Sequence, residues 1–300
     1  MKWLKRLLIL VLVIPILAVL VFWGVKSNFP GGSVAGALEN QIRTRSGIPV
    51  QLSPVELHWR GFLIQEMAVM RSPAWKMLPR GDLIVMEAIE VLFWPLLVSQ
   101  RLQVDAESHG GKFHLDADLL AQNEIRWNVK GIQLKQVPGL AKLPFAEVDG
   151  RLKLDGIIQN FWSIVKGETS FPEGTISGNV RNMKLRLIGM ALLFPDLELP
   201  PIKLSEIRFE VGLGPLVRLK RVEVEGMLSG SIRGTMQFNP KNPGASVVDL
   251  MVQLTSSPEL NESLGSLLIL LSNYQCGNRI DVSIKGPLNR LQPPKRRNCS

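Results

Sequence analysis

The chain has 300 residues, 46% hydrophobic and 20% charged, with 26 Gly and 20 Pro. That is too apolar for a disordered chain and lacks the strict glycine period of a collagen, so one long folded domain or two short ones are expected. The formal charge of +9 sits at the ends: Lys2, Lys5, Arg6 and Lys26 flank one apolar run, and Lys295, Arg296 and Arg297 lie in the last six residues. Setting these seven cations aside from +9 leaves +2 for residues 27–294. A nearly neutral body is unsuited to tracking phosphates, and no nucleic-acid partner is expected.

Residues 7–25 carry no charged or polar side chain, close to the ~20 residues a helix needs to cross a bilayer. A secretory signal has a shorter apolar stretch of about 7–15 residues and ends in small residues. This run ends in Phe22-Trp23-Gly24-Val25, so an uncleaved anchor is expected. Pro15 is compatible with a membrane helix, and Trp3 and Trp23 fall near its two ends, where indole rings favour the interface. The cations Lys2, Lys5 and Arg6 precede the run and only Lys26 closely follows it. That asymmetry keeps the N-terminal stub in the cytoplasm and exports the rest. The expected organisation is an anchor over 1–28, an exported body over 29–294 and a basic tail over 295–300. Residues 267–271 form a second apolar run, too short to span.

After the anchor, residues 32–45 read as a short amphipathic helix with Val34, Leu38 and Ile42 on one stripe and Gly47 as its stop. The period then changes to two. Leu102, Val104 and Ala106 alternate with Gln103, Asp105 and Glu107, and Phe113, Leu115, Ala117 and Leu119 alternate with His114, Asp116 and Asp118. Ile125, Trp127 and Val129, then Ile207, Phe209, Val211 and Leu213, follow the same rule, which describes half-buried strands.

The longest alternation covers residues 222–238. Val222, Val224, Leu228, Ile232, Met236 and Phe238 fall on one face with Gly226, Gly230 and Gly234 between them, and the opposite face is almost wholly polar. These six apolar residues are the candidate groove or core face. Three glycines four apart suggest either a curved sheet with room on its concave side or bulges in an ordinary sandwich. Loosely repeated Gly-bearing strand ends, at 148–156, 174–180 and 280–287, suggest successive hairpins without a fixed solenoid period. Near the C-terminus Ser257 can cap a helix over 258–273, with Pro258 first, Glu259 and Glu262 at its positive end, and Leu260, Leu264, Leu267, Leu268 and Leu271 in one stripe.

Chemistry-bearing motifs are scarce. The sequence has no Gly-x-Ser-x-Gly elbow, no phosphate loop and no His-Glu-x-x-His. His58, His109 and His114 are the only histidines, and the last two, five apart, would point to opposite faces of a strand. Asp116 and Asp118 share a polar face without a metal-ligand cluster. No catalytic residue, cofactor or metal is expected. An exported body can oxidise Cys276 and Cys299 to one bridge, although Cys299 is penultimate, beyond Pro293-Pro294.

Many one-sided strands and only two short helices set a burial problem. The expected fold is mainly β: an elongated, curved antiparallel sandwich or a taco-like groove. A groove that stays open needs an apolar ligand.

Several phrases, in order, carry a resemblance. They are the N-terminal anchor, a helix ending in Arg45-Ser46-Gly47-Ile48-Pro49-Val50, Leu102-Gln103-Val104 with Gly110-Gly111-Lys112-Phe113, and Val148-Asp149-Gly150-Arg151-Leu152. The stretch 226–235, the leucine helix at 258–273 and Ile284-Lys285-Gly286-Pro287-Leu288 follow. The chain resembles the type II secretion system protein N (GspN) family, which is similar to the AsmA-like anchored β proteins of Gram-negative envelopes. The resemblance implies a non-catalytic accessory of type II secretion in the inner membrane, with a periplasmic body that meets other secretion-system components. The AsmA-like kinship implies instead an apolar groove that guides phospholipid acyl chains. It carries over no catalytic residues.

Overall fold

The computed structural model describes residues 22–71, 79, 81–118, 124–143, 146–160, 171, 173–187, 201–237, 239, 245–264, 275–276, 279–292 and 295–296. Its strands form one antiparallel sheet of sixteen members. β1 (Val50–Leu52) and β2 (Val55–His58) both pair with β3 (Gly61–Met70). β4 (Asp82–Leu92), β5 (Arg101–Ser108), β6 (Gly111–Asp118), β7 (Glu124–Gln133) and β8 (Ala146–Gln159) follow. β9 (Glu173–Leu187), β10 (Ile202–Leu213), β11 (Val217–Gly226), β12 (Leu228–Gln237) and β13 (Val247–Ser256) continue the meander. From β3 to β13 every strand pairs with the next in sequence; β13 then pairs with β15 (Arg279–Pro287), whose other edge carries β14 (Gln275–Cys276) and β16 (Lys295–Arg296).

Register shifts interrupt the β3–β4, β4–β5, β7–β8, β8–β9, β10–β11 and β11–β12 ladders. Such bulges bend a strand and increase its twist.

The expected run over 222–238 is two strands. β11 ends at Gly226, the Met227 N–H donates to the Lys203 carbonyl of β10 at 2.9 Å, and β12 returns with Val224 opposite Gly230. Even-numbered residues face even-numbered residues across this turn, so the alternation passes through it unbroken.

The first expected helix is α1 (Gly31–Ser46), stopped at Gly47 with φ 70°, whose N–H donates to the Arg43 carbonyl at 2.9 Å. Its inward face differs from the expected stripe. Ala35 is buried, Val34 packs beside it, and Leu38 is 37% exposed. A Cβ on Gly31 would collide with the Val55 carbonyl oxygen, so the helix approaches β2 through its smallest residues, and Glu39 Oε1 accepts the Leu52 N–H of β1 at 2.6 Å. Beneath α1 lies the core of this end: Ala35, Leu52, Val55, Ile64, Ile89 and Ala106, flanked by Phe29, Phe62 and Phe113.

Two short helices were not anticipated: α2 (Phe93–Ser99) and α3 (Pro138–Ala141), the latter preceded by a 3-10 turn at Leu134–Gln136. Pro95 falls in the first turn of α2, where its missing N–H breaks no helical bond. The C-terminal helix α4 (Pro258–Leu264) begins as expected, with the Ser257 hydroxyl accepting the Leu260 N–H at 3.2 Å and Leu260 only 1% exposed. The remainder of its expected length lies outside the described residues, as does most of the expected anchor. Residues 22–27 are helical, and no helix among the described residues is long and apolar enough to cross a membrane.

Candidate functional site: the apolar face of the sheet

The meander aligns residues of like chemistry into rows that cross the strands. One row runs through Ala106, Phe113, Val129, Leu154, Gly178, Phe209, Val222, Ile232, Val252 and Val282, each the direct partner of the next. It crosses ten strands without a polar residue. A parallel row passes from Val104 through Leu115, Trp127, Gly156, Ile176, Val211, Leu219, Gly234 and Leu250 to Ile284 over the same ladders. Both belong to one face: on nine strands they are two residues apart, and alternate residues of a strand share a side, while on β11 a bulge takes up the extra residue between Leu219 and Val222.

Bulk and emptiness alternate along these rows. A Cβ on Gly156 would fall inside the indole of Trp127, and one on Gly178 would lie 3.0 Å from Phe209 Cζ and nearer still to Leu154. The Trp127 indole and the tip of the Phe209 ring therefore fill the space over glycines of the neighbouring strand, where a side chain would collide with them.

The opposite face is charged and internally paired. Arg208 reaches Glu206 at 2.8 Å, Glu225 at 2.7 Å and Glu223 at 3.9 Å, and Arg181 adds a second cation to Glu206 at 3.0 Å. Hydrogen bonds from Arg208 and then Arg181 hold the Glu206 carboxyl below the usual carboxylate range. His114 Nδ1 lies 2.7 Å from Asp105 Oδ1, Lys285 pairs with Asp249 at 2.7 Å, and Asp116 lies 3.8 Å from Arg101. Asp116 is thus one member of a paired surface.

Of the expected face residues, Val222 and Ile232 stand side by side in the ten-strand row. Val224 falls in a third row, between Ile207 and Gly230, and Met236 pairs with Val217 and Val248. Leu228 opposes Ser256 at the start of β12. Phe238 lies outside the described residues. Val224 is buried, and Val222, Leu228, Ile232 and Met236 are half-buried. Cys276 is placed in β14 opposite Arg279, and Cys299 lies outside the described residues. His109 is not on a strand: it occupies the β5–β6 turn with φ 48°, and its Nε2 accepts the Val85 N–H at 3.3 Å. The expected contrast of opposite strand faces with His114 therefore does not apply.

The sequence reading missed Phe209 and Val252 as the partners of Val222 and Ile232. Each was legible as apolar-facing on its own strand, but only the register joins them. Among the described residues no group of three or more His, Cys, Asp or Glu could hold a metal ion.

Fold and face together define a class: a single-sheet β protein with one apolar and one ion-paired side. No protein-family model, curated protein or solved structure matches the chain.

Proposed function

We propose that the chain is a non-catalytic, membrane-anchored envelope protein whose apolar sheet face binds phospholipid acyl chains. The observation that carries this reading is the unbroken ten-strand row from Ala106 to Val282. Nine inter-strand steps of about 4.8 Å give a strip roughly 43 Å long, more than the ~30 Å hydrocarbon thickness of a bilayer. Phe209, Val222, Ile232 and Val252 in this strip remain half-buried, and apolar area of that extent calls for a partner. Acyl chains need no directional bonds, which suits a surface of rings and branched aliphatics. The expected anchor and its flanking charges put this body beside a source of lipid, and the bulges supply the curvature of a taco-like groove.

A second reading follows the GspN-like resemblance and makes the body an accessory of type II secretion in the Gram-negative inner membrane. What supports it is that the phrases carrying the resemblance fall, in order, on successive parts of one meander: the β5–β6 hairpin, β8, the β11–β12 hairpin and β15. In that role strand edges would meet other periplasmic components by β-augmentation.

Native mass spectrometry of the full chain, purified in detergent, separates the two. Stoichiometric phospholipid retained by the unmodified chain and lost from a folded Ile232→Asp variant is expected. A lipid-free chain, or a folded variant with unchanged lipid content, overturns the groove. A reporter fused after residue 294 tests the compartment, since cytoplasmic activity would end the exported reading.

A further inference from the structure

A second apolar surface lies at the N-terminal end of the sheet. From Val91 to Gln100 the sequence has ten residues without a charge, and they form the end of β4 and the whole of α2. That helix does not turn its apolar side inward. Trp94 is 60% exposed, Leu97 72% and Val98 78%, and Trp59 in the neighbouring β2–β3 turn is 64% exposed. The two segments are tied together. The Phe93 N–H donates to the Arg60 carbonyl at 2.8 Å, and the Phe62 and Phe93 rings meet edge to face at 4.7 Å.

The same aromatic stack leads to the point where the apolar N-terminal run ends. Phe29 lies 5.7 Å from Phe62, only a few residues beyond Trp23 and Val25, which are 72% and 53% exposed. Twenty-one residues precede the described chain, and the apolar run within them continues to residue 25. Its described end is thus joined to α2 through the Phe29, Phe62 and Phe93 rings.

We infer that α2 and the Trp59 turn lie in the headgroup layer of the bilayer that holds the N-terminal run, as a second, non-spanning contact. This rests on the anchor and goes beyond it. A seven-residue helix is about 10 Å long, too short to span, and an apolar helix of this kind lies in the plane of the interface with its apolar side ~5–10 Å into the headgroup boundary. Indole rings favour that layer. Arg60, whose guanidinium sits 5.0 Å over the Trp59 ring, is placed in the Trp59 turn to reach anionic headgroups. Such a contact fixes the tilt of the sheet and brings the first strands of the meander to the lipid surface.

The test uses the full chain, with Cys276→Ser and Cys299→Ser, reconstituted in vesicles of phosphatidylethanolamine and phosphatidylglycerol. A nitroxide is placed at Leu97→Cys or Val98→Cys, with Lys153→Cys on the charged face as the reference. The labels at 97 and 98 are expected to collide several-fold more with dissolved oxygen, relative to an aqueous nickel chelate, than the label at 153. A reading equal to that at 153 means a water-exposed patch, and shielding from both reagents means a protein covering. Either result overturns the inference. Without labels, phospholipids brominated near the headgroup should quench a share of tryptophan emission that the Trp59→Phe/Trp94→Phe chain lacks; equal quenching of both also overturns it. These readings depend on α2 and the Trp59 turn, whereas lipid retention by the ten-strand face is measured separately, so either proposal can fail without the other.

Discussion

Over β1–β5 the apolar face is covered. Ala35 of α1 sits on Leu52, Val55, Ile64, Ile89 and Ala106, and phenylalanines close the margins. Over β9–β13 the alternation in sequence is just as strict, yet Ile176, Phe209, Val222, Ile232 and Val252 are only half-buried, and the buried residues there, such as Val180, Val224 and Val248, stand singly among them. The comparison separates two properties that a period of two confounds. Alternation reports which side of a strand is apolar. It does not report what lies on that side.

The largest test of this contrast is a matched pair. Ile64 is 8% exposed inside the covered core, so Ile64→Ala should cost about 2–5 kcal/mol in unfolding free energy. Ile232→Ala removes the same atoms from a half-buried site and should cost about 1 kcal/mol, because much of its surface already meets water or ligand. Equal losses in denaturant titrations of the lipid-stripped chain would mean that β12 is covered as fully as β3. A second pair probes the backbone. Gly234 has φ 153°, and a Cβ there would collide with the Asp249 carbonyl oxygen of β13, so Gly234→Ala should cost about 1–3 kcal/mol. Gly36→Ala, on the open side of α1 with nothing within 4 Å, should instead stabilise by about 0.5–1 kcal/mol.

Much of the sheet was legible because its signal is local. Leu102, Val104 and Ala106 on β5, or Ile207, Phe209 and Val211 on β10, disclose their face through their immediate neighbours. The hairpin at Gly226-Met227 was not legible, since its partners share parity and the pattern passes through unchanged. α2 was hidden for the opposite reason: Leu92-Phe93-Trp94-Pro95-Leu96-Leu97-Val98 has no period at all, its proline is tolerated only in a first turn, and Trp94, Leu97 and Val98 are exposed. On α1 the hydrophobic stripe pointed to Leu38, but contact distance decided the packing, and Gly31 and Ala35 permit a closer approach to β2 than leucine would. The candidate site was half legible. Val222 and Ile232 were found; their lengthening into a ten-strand row depends on pairings set by turns far apart in the chain.

A smaller effect is expected on the charged face. Arg208 contacts three carboxylates, but its own side chain is 48% exposed, and exposed pairs contribute little each and are screened by salt. Arg208→Ala should lower the melting temperature slightly in low salt and by nearly nothing at high ionic strength. A loss that persists in concentrated salt would show that the arginine stem packs structurally, and would weaken the view of this face as solvated.

The smallest expected effect is a pH dependence confined to the covered end. His109 sits in the β5–β6 turn, its Nε2 accepting the Val85 N–H of β4, and burial, partly opposed by the charge of Glu87, lowers its pKa from 6.5. The folded chain therefore holds this imidazole neutral, while the unfolded chain protonates it as the pH falls through 6.5. The unfolded state then binds more protons, so this residue's contribution is present above pH 6.5 and is lost below it, down to the folded pKa. The difference in melting temperature between wild type and His109→Asn should be constant above that value and shrink below it, with asparagine tolerating the positive φ of the turn. An NMR titration of the His109 imidazole reads the same shift directly. A His109 imidazole that takes up its proton at or above pH 6.5 would mean that the β4–β5 junction is wetter than the core it adjoins, and would narrow the difference between the two ends of the sheet.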